Sequence, residues 1–561
     1  MGLGTLDTLG GGVFLFWSLG YPHALSYQEQ YQLFLWTTDY FWERVSVAGG
    51  FADWLGEFIT QFYYYPWVGA LLLALLYVLL QRGMARLLPS SLYLMSFAPV
   101  VLLWWHMGDV SVVLSYVVAL VMVIYGVIGV NGLIGLKGGN GLIGRWGSVV
   151  DVVIAPVIYW LLGPMVWLYA MLRVAQGDWK KSWLLLWVGA VQVLASSLIL
   201  VQWPMPMITL SMIYYRIPME IPVLQWLIPV VTAVIVGIGR IIEGNGLIGV
   251  NGLIGVNGLI VFIGLNLFIW QMFQVVLLLV LGWFGYQKGY DTEVYELIWQ
   301  DYQIRHEQWD KIIKRADKHV VRTTFWSNSV NLALSQKRLL ADRMFDFYQS
   351  GDDALIMPRM RDLTSNLPSA EAYYRLGLVN SAQRYMFDIQ ESILNGKMSG
   401  RCTKRIVECM LVNGHYKPAL KYIDLLRKSL FYRGWAEETE RVVTADAQTR
   451  EARINAHPQL GWLRKIRFKE DFLYSHTEKD KIFGLLFMNN HENKMALDYF
   501  IGEMLLRGNV QGVMQYMSWA QQYGGYRQMP IGYQDAVQCI QKQGDLPGSM
   551  YGAYVRRMMG R

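Results

Sequence analysis

Charge is scarce in the first half of this chain, and cysteine is scarce throughout. Only 16% of the 561 residues are charged, against about 25% in an ordinary soluble domain. The deficit is local: residues 1–284 carry 10 Lys and Arg and 11 Asp and Glu, while residues 285–561 carry the other 39 and 31. So little charge excludes a surface solvated in the usual way over the first half, and lipid is the solvent that fits. The three cysteines, Cys402, Cys409 and Cys539, all lie in the second half and are too few for a disulfide framework. Cys402 and Cys409 would sit about 10.5 Å apart on one helix, too far to bridge. A pairing with Cys539 stays open, so cysteine does not fix the compartment. Cys/His metal spacing, HExxH, GxSxG and a nucleotide-binding glycine loop are all missing, which excludes the motif-bearing soluble enzymes. The basic excess of the second half forms no dense Lys/Arg block, and nucleic acid is not an expected partner.

What is present is a series of apolar runs. A bilayer core of about 30 Å takes about 20 apolar residues per helix. Runs of that kind cover Leu9–Leu25, Tyr65–Leu80, Leu92–Trp105, Val110–Val127, Val149–Leu172, Trp183–Val201, Val223–Ile238 and Leu259–Trp283. No small-x-small cleavage site follows the first, which reads as a membrane helix and not as a signal peptide. Cations mark the cytoplasmic loops: Arg82 and Arg86, Lys137 and Arg145, Arg173 with Lys180 and Lys181, and Arg240. The segment 26–64 holds five acids against Arg44 alone and reads as external. These sides are compatible only if Val149–Leu172 turns back at Gly163-Pro164 as a re-entrant hairpin. The second half is then outside, periplasmic for a bacterial inner-membrane protein. A single crossing there leaves it in the cytoplasm.

The motif NGLIG interrupts the membrane half in two loops, 128–147 and 244–261, the latter with a period of six. Three copies are too few to stack as a β-helix, and the tracts read as slippage-prone insertions tolerated in loops. From Tyr290 the pattern changes to amphipathic helices joined by short polar turns. A signature of Gly, a small residue five on and Tyr three later recurs as Gly377/Ala382/Tyr385, Gly414/Ala419/Tyr422 and Gly508/Val513/Tyr516. The copy Gly414–Tyr422, GHYKPALKY, resembles the tetratricopeptide helix pair. That resemblance implies a soluble α-solenoid with a concave surface for a protein partner. The expected fold is therefore all-α: a polytopic helical membrane domain over 1–284, then a solenoid of degenerate tetratricopeptide-like pairs over 285–561.

The external segment holds the residues on which chemistry can be built. Glu29, Asp39, Glu43, Asp53 and Glu57 lie among aromatics, in two amphipathic patterns split at Gly49-Gly50. The plain reading is a pair of interfacial helices with acids toward water and rings in an anchoring belt. Asp53 and Glu57 are expected on the solvent face. The segments SYQEQYQLF and TQFYYYP resemble those of an uncharacterised bacterial multi-pass family. The order of elements over 9–283 also resembles the C-type glycosyltransferases. These use polyprenyl-phosphate sugars and place an acid in a first external loop of two membrane-lying helices. The resemblance implies Glu29 as catalytic acid or base with Asp39 second, and Asp109, Tyr215 and Arg216 on the lipid phosphate and substrate. The chain departs from that family in lacking a paired Asp-Asp or Asp-Glu in this loop. His106 reads as a satisfied interfacial histidine, and no cofactor is implied. Two functions follow. One is a lipid-linked glycosyltransferase of envelope glycan assembly, with membrane lipid as partner. The other is a non-enzymatic membrane-anchored scaffold that recruits partners to its helical repeats. A transporter fits less well, because ionisable residues within the runs are few.

Overall fold

Proline and glycine decide where the apolar runs break. The computed structural model describes residues 2–134, 147–176, 181–217, 220–244, 267–360, 364–394, 396–468, 476–544 and 546–558, and their regular elements are helical. They form two units, Met1–Thr292 and Glu293–Arg561.

In the first unit the run Leu9–Leu25 is not one helix. α1 (Gly2–Leu15) passes through a π turn at Phe16–Gly20, and Pro22 opens the short α2 (Pro22–Glu29), since proline suits a first helical turn and breaks an interior one. α3 (Thr38–Val45) and α4 (Gly50–Thr60) follow. α5 (Pro66–Leu87) is long and unbroken. The run Leu92–Trp105 is divided between a 3-10 stretch, Ser90–Phe97, and α6 (Ala98–His106). α7 (Leu114–Ile134), α8 (Gly147–Leu162), α9 (Val166–Gln176), α10 (Trp183–Leu198), α11 (Met205–Thr209), α12 (Val223–Gly244) and α13 (Leu267–Gly289) complete the unit.

Among the described residues five stretches are long and apolar enough to cross a membrane: Pro66–Leu87, Leu114–Gly132, Val149–Gln176, Val223–Ile242 and Ile269–Gly289. The third is folded double. Asp151 near the start of α8 accepts hydrogen bonds from Tyr169 (2.8 Å) and Arg173 (2.8 Å) near the end of α9. A straight helix would hold residues this far apart in sequence about 33 Å from each other. The reversal is at Gly163, whose φ of +60° favours glycine. A Cβ there would lie 3.1 Å from the Cα of Gly49, itself at φ +84° in the α3–α4 turn. The two glycines thus meet backbone to backbone.

The outer faces carry regular apolar stripes. Val149, Val153, Val157 and Leu161 repeat every fourth residue along α8, and Val223, Leu227, Val230, Val234, Ile238 and Ile241 line one side of α12. Water does not solvate such stripes; hydrocarbon does. Four cations, Arg86, Arg173, Lys181 and Arg240, lie at one end of the helices. Arg173 donates to Asn131 (2.6 Å), and Lys181 reaches Asp151 (3.0 Å). Gly237 lies against Ala175, and Gly239 of α12 against Pro89, just past Arg86. Asn131 is the first residue of the first NGLIG tract; Lys137, Arg145, Lys180 and the tract 245–261 lie outside the described residues. At the opposite end, Tyr290 donates to the carbonyl of Trp104 (3.1 Å), so the chain leaves this unit beside the α6–α7 loop.

The second unit is built of helix pairs. Asn366–Leu376 packs on Val379–Glu391, that on Gly400–Asn413, then Tyr416–Arg427 and Arg433–Val443 in succession. The three signature glycines each turn one helix into the next, with φ of +87° at Gly377, +77° at Gly414 and +65° at Gly508. Ala382, Ala419 and Val513 are buried. Such succession is what a solenoid needs, but Pro458–Ile466 folds back onto both Asn366–Leu376 and Gly400–Asn413. Cys402, Cys409 and Cys539 are buried free thiols.

Candidate functional site

The site forms where the 214–216 segment is zipped to the α6–α7 loop. Val112 and Tyr215 make an isolated antiparallel bridge. Arg216 N donates to Ser111 O (2.9 Å), and Val113 N to Tyr214 O (3.0 Å). Tyr214 donates through its hydroxyl to Leu162 O at the tip of the α8–α9 hairpin. The Tyr215 hydroxyl donates to Asp109 (2.6 Å), whose other oxygen accepts from Ser111 N (2.9 Å). Burial raises the Tyr215 phenol, and the hydrogen bond to Asp109 adds to the rise.

Arg216 is the centre. Its guanidinium donates to two backbone carbonyls, Val110 (2.9 Å) and Gln28 (3.3 Å), and lies 5.8 Å from the Tyr31 ring centroid. Among the described residues it makes no ion pair. Burial pulls the guanidinium down, while Tyr27, Tyr31 and Asp109 oppose that pull. A half-buried cation without an anionic partner among the described residues is an unmet electrostatic demand. Glu29 closes α2 one residue after Gln28 and is 3% exposed. Among the described residues, the buried Gln28 Oε1 and Tyr63 hydroxyl have no hydrogen-bond partner. Three of the five sequence-derived residues, Asp109, Tyr215 and Arg216, therefore belong to one neighbourhood, to which the chain beside Glu29 is joined through the Gln28 carbonyl. Asp39 does not: it is exposed in the first turn of α3, behind the capping hydroxyl of Thr37. Nothing joins it to Arg216.

The expectation that Asp53 and Glu57 face water is overturned. Both are buried. α4 packs closely on the start of α7, because a Cβ at Gly56 would lie 2.7 Å from Ser115 N. Asp53 accepts from Ser115 Oγ (2.8 Å). Glu57 pairs with Arg44 Nε (3.3 Å) and accepts from the Tyr40 hydroxyl. Buried carboxylates persist when each finds a donor. The sequence held one signal for this, the lone cation Arg44 in an acidic segment. His106 is 1% exposed, and its Nε2 has no hydrogen-bond partner, so it is not the satisfied histidine expected. Among the described residues no group of three or more His, Cys, Asp or Glu is placed to hold a metal ion.

Chemically, one unpaired cation, an acid at hand and two orphaned polar groups suit an oxyanion that also carries hydroxyls, such as a phosphorylated sugar. Neither a comparison with curated proteins nor one with solved structures finds a match. A family model covers residues 5–559, and over that span this chain belongs to the Family of unknown function (DUF6057).

Proposed function

We propose that this chain is a multi-pass membrane glycosyltransferase that takes its sugar from a polyprenyl phosphate on the outer face of the membrane. The observation that carries this reading is Arg216, a half-buried guanidinium whose hydrogen bonds among the described residues go to backbone carbonyls, one of them that of Gln28, next in sequence to Glu29. The acceptor hydroxyl gives its proton to the Glu29 carboxylate as its oxygen bonds to the anomeric carbon. The bond from that carbon to the phosphate oxygen breaks, and Arg216 takes up the charge on the departing lipid phosphate.

The placement of charge supports the orientation. Arg86, Arg173, Lys181 and Arg240 belong to the end of the unit that contains Pro89 and Asn131, which the positive-inside rule makes cytoplasmic. α8 and α9 enter and leave from that side as a re-entrant hairpin. Arg216 and the exit at Tyr290 are then external, which puts the Glu293–Arg561 unit in the periplasm of a bacterium. Alkaline phosphatase fused to the C-terminus should be active in cells; an inactive fusion overturns the orientation.

The chemistry is tested by complementing a deletion strain and reading its envelope glycans. Glu29→Gln should lower transfer by about 10²–10⁴-fold, as loss of a general base does. Arg216→Gln should weaken retention of polyprenyl phosphate in proteoliposomes, and Asp39→Asn should leave both readings unchanged. Asp53 and Glu57 cannot serve as silent controls, because each is buried on a partner. Full complementation by Glu29→Gln sinks the enzyme and favours the scaffold, in which the helix pairs of the second unit recruit a protein to the membrane.

A further inference from the structure

The second unit contains a cavity of about 280 Å³. Its walls come from the end of the Thr324–Gln336 helix, from Asn366–Leu376, from the fold-back helix Pro458–Ile466 and from the start of Lys494–Leu506. It is therefore a product of that fold-back, and helices stacked only on their neighbours would not enclose it.

Three cations line it beside one acid, Glu492, which is taken up by Lys465 (2.6 Å), and the cations differ in how far they are neutralised. Arg375 is held by Glu371 (2.8 Å) and Glu307 (2.7 Å). Arg338 reaches Asp498 at 3.4 Å and donates to Gly524 O (2.8 Å), from a backbone at φ +59° that non-glycine residues seldom adopt. Lys494 donates through Nζ to Tyr523 O and, among the described residues, has no ion pair. Burial and the neighbouring Arg338 both pull its ammonium below the usual lysine range, as expected where like charges are held together. Tyr374 is fully buried in the same wall, and among the described residues its hydroxyl has no hydrogen-bond partner. Trp462 lines the cavity as well and is 40% exposed.

Size and lining narrow the ligand. The volume is several times that of a lone phosphate, on a scale where one water takes about 30 Å³, yet it is small for a run of peptide. An exposed indole beside cations and an orphaned hydroxyl suits a ring with hydroxyls and one acid. We infer that this cavity binds a single anionic sugar residue, a hexuronate or a sugar phosphate. Its acid sits at Lys494 and Arg338 and its ring lies against Trp462. The site is independent of the transfer chemistry proposed at Arg216.

The test is isothermal titration of the full chain in lipid nanodiscs with glucuronate, glucose 1-phosphate, glucose, inorganic phosphate and an Asp/Glu pentapeptide. At least one anionic sugar should bind about 10-fold or more tighter than glucose and than phosphate, the gain expected of one charge-assisted hydrogen bond. The two anionic sugars tell a carboxylate site from a phosphate site. Lys494→Gln should weaken the anionic sugar about 10-fold and leave glucose unchanged, and Trp462→Ala should weaken it about 5-fold, in the range of one aromatic contact. Both side chains are partly exposed, so melting curves should match the parent. Four results would overturn the inference: no binding by either anionic sugar, equal binding of phosphate, tighter binding of the peptide, or unchanged affinity in both variants.

Discussion

Among the described residues of the first unit the buried ion pairs form two knots, Glu57 with Arg44 and Asp151 with Arg173 and Lys181. In the second unit they run from helix to helix: Glu296 with Arg315, Asp301 with Arg401, Glu371 with Arg375 and Arg405, and Glu503 with Lys479 and Arg507. The surfaces differ in the opposite sense. Among the described residues, 37 large apolar side chains are exposed in the first unit and 13 in the second. On the proposed placement in a bilayer, the first unit gains nothing from exposed charge and loses little by exposed leucine, so its few ions must each hold something in place. A unit in water can spend ion pairs on helix packing, with a modest return from each.

This contrast is sharpest at Arg173. Arg173→Met leaves Asp151, which is fully buried, with Lys181 as its remaining cation. Breaking such a pair costs about 3–5 kcal/mol. The α8–α9 hairpin should open, seen as new hydrogen exchange in 149–176 of the detergent-solubilised chain. Unchanged protection there would break the comparison.

In the second unit the sensitive point is Asp498. Burial pushes its carboxyl up to about 6, against Arg338, the Tyr526 hydroxyl and Lys494, while Asp342 adds to the rise. A carboxyl raised above its unfolded value of about 3.9 adds stability that is complete below that value and lost as pH climbs through its folded value. The ceiling is about 2–3 kcal/mol. Protection of 494–506, corrected for intrinsic exchange, should be higher at about pH 5 than at about pH 7, and Asp498→Asn should flatten the difference.

Gly163→Ala should cost about 1–2 kcal/mol, since alanine is strained at positive φ and its Cβ would press on Gly49. The melting temperature of the purified chain reads this, and no loss would mean the two turns can separate. Smallest is Lys465→Ala. It removes an exposed pair with Glu492 and should change stability by no more than about 0.5 kcal/mol.

Much of the frame was legible because it is local. The apolar runs in α5, α7 and α12 are continuous, and the signature glycines stand at left-handed turns. Periodicity also placed Asp53 and Glu57 on one face of α4. It could not say that α7 covers that face, because the contact of Gly56 with Ser115 joins distant segments. Charge patterning left the turn at Gly163 open, and the bonds of Asp151 to Tyr169 and Arg173 close it. The site was half legible. Glu29 and Arg216 were singled out by chemistry and loop position, but the bridge from Val112 to Tyr215 depends on how the loops meet. The fold-back of Pro458–Ile466, and with it the sugar cavity, left no trace in the repeat pattern.

The clamp at Asn131 bears on how the gene can change. Asn131 is fixed by Arg173 (2.6 Å) and Gln176 (2.8 Å) at the end of the unit away from Arg216. α12, after which the second tract follows in sequence, ends beyond Gly239 at that same end. Each repeat unit is a whole number of codons, so a polymerase that slips there adds or drops loop without shifting the reading frame. Tract length can then change without altering any residue of the proposed chemistry.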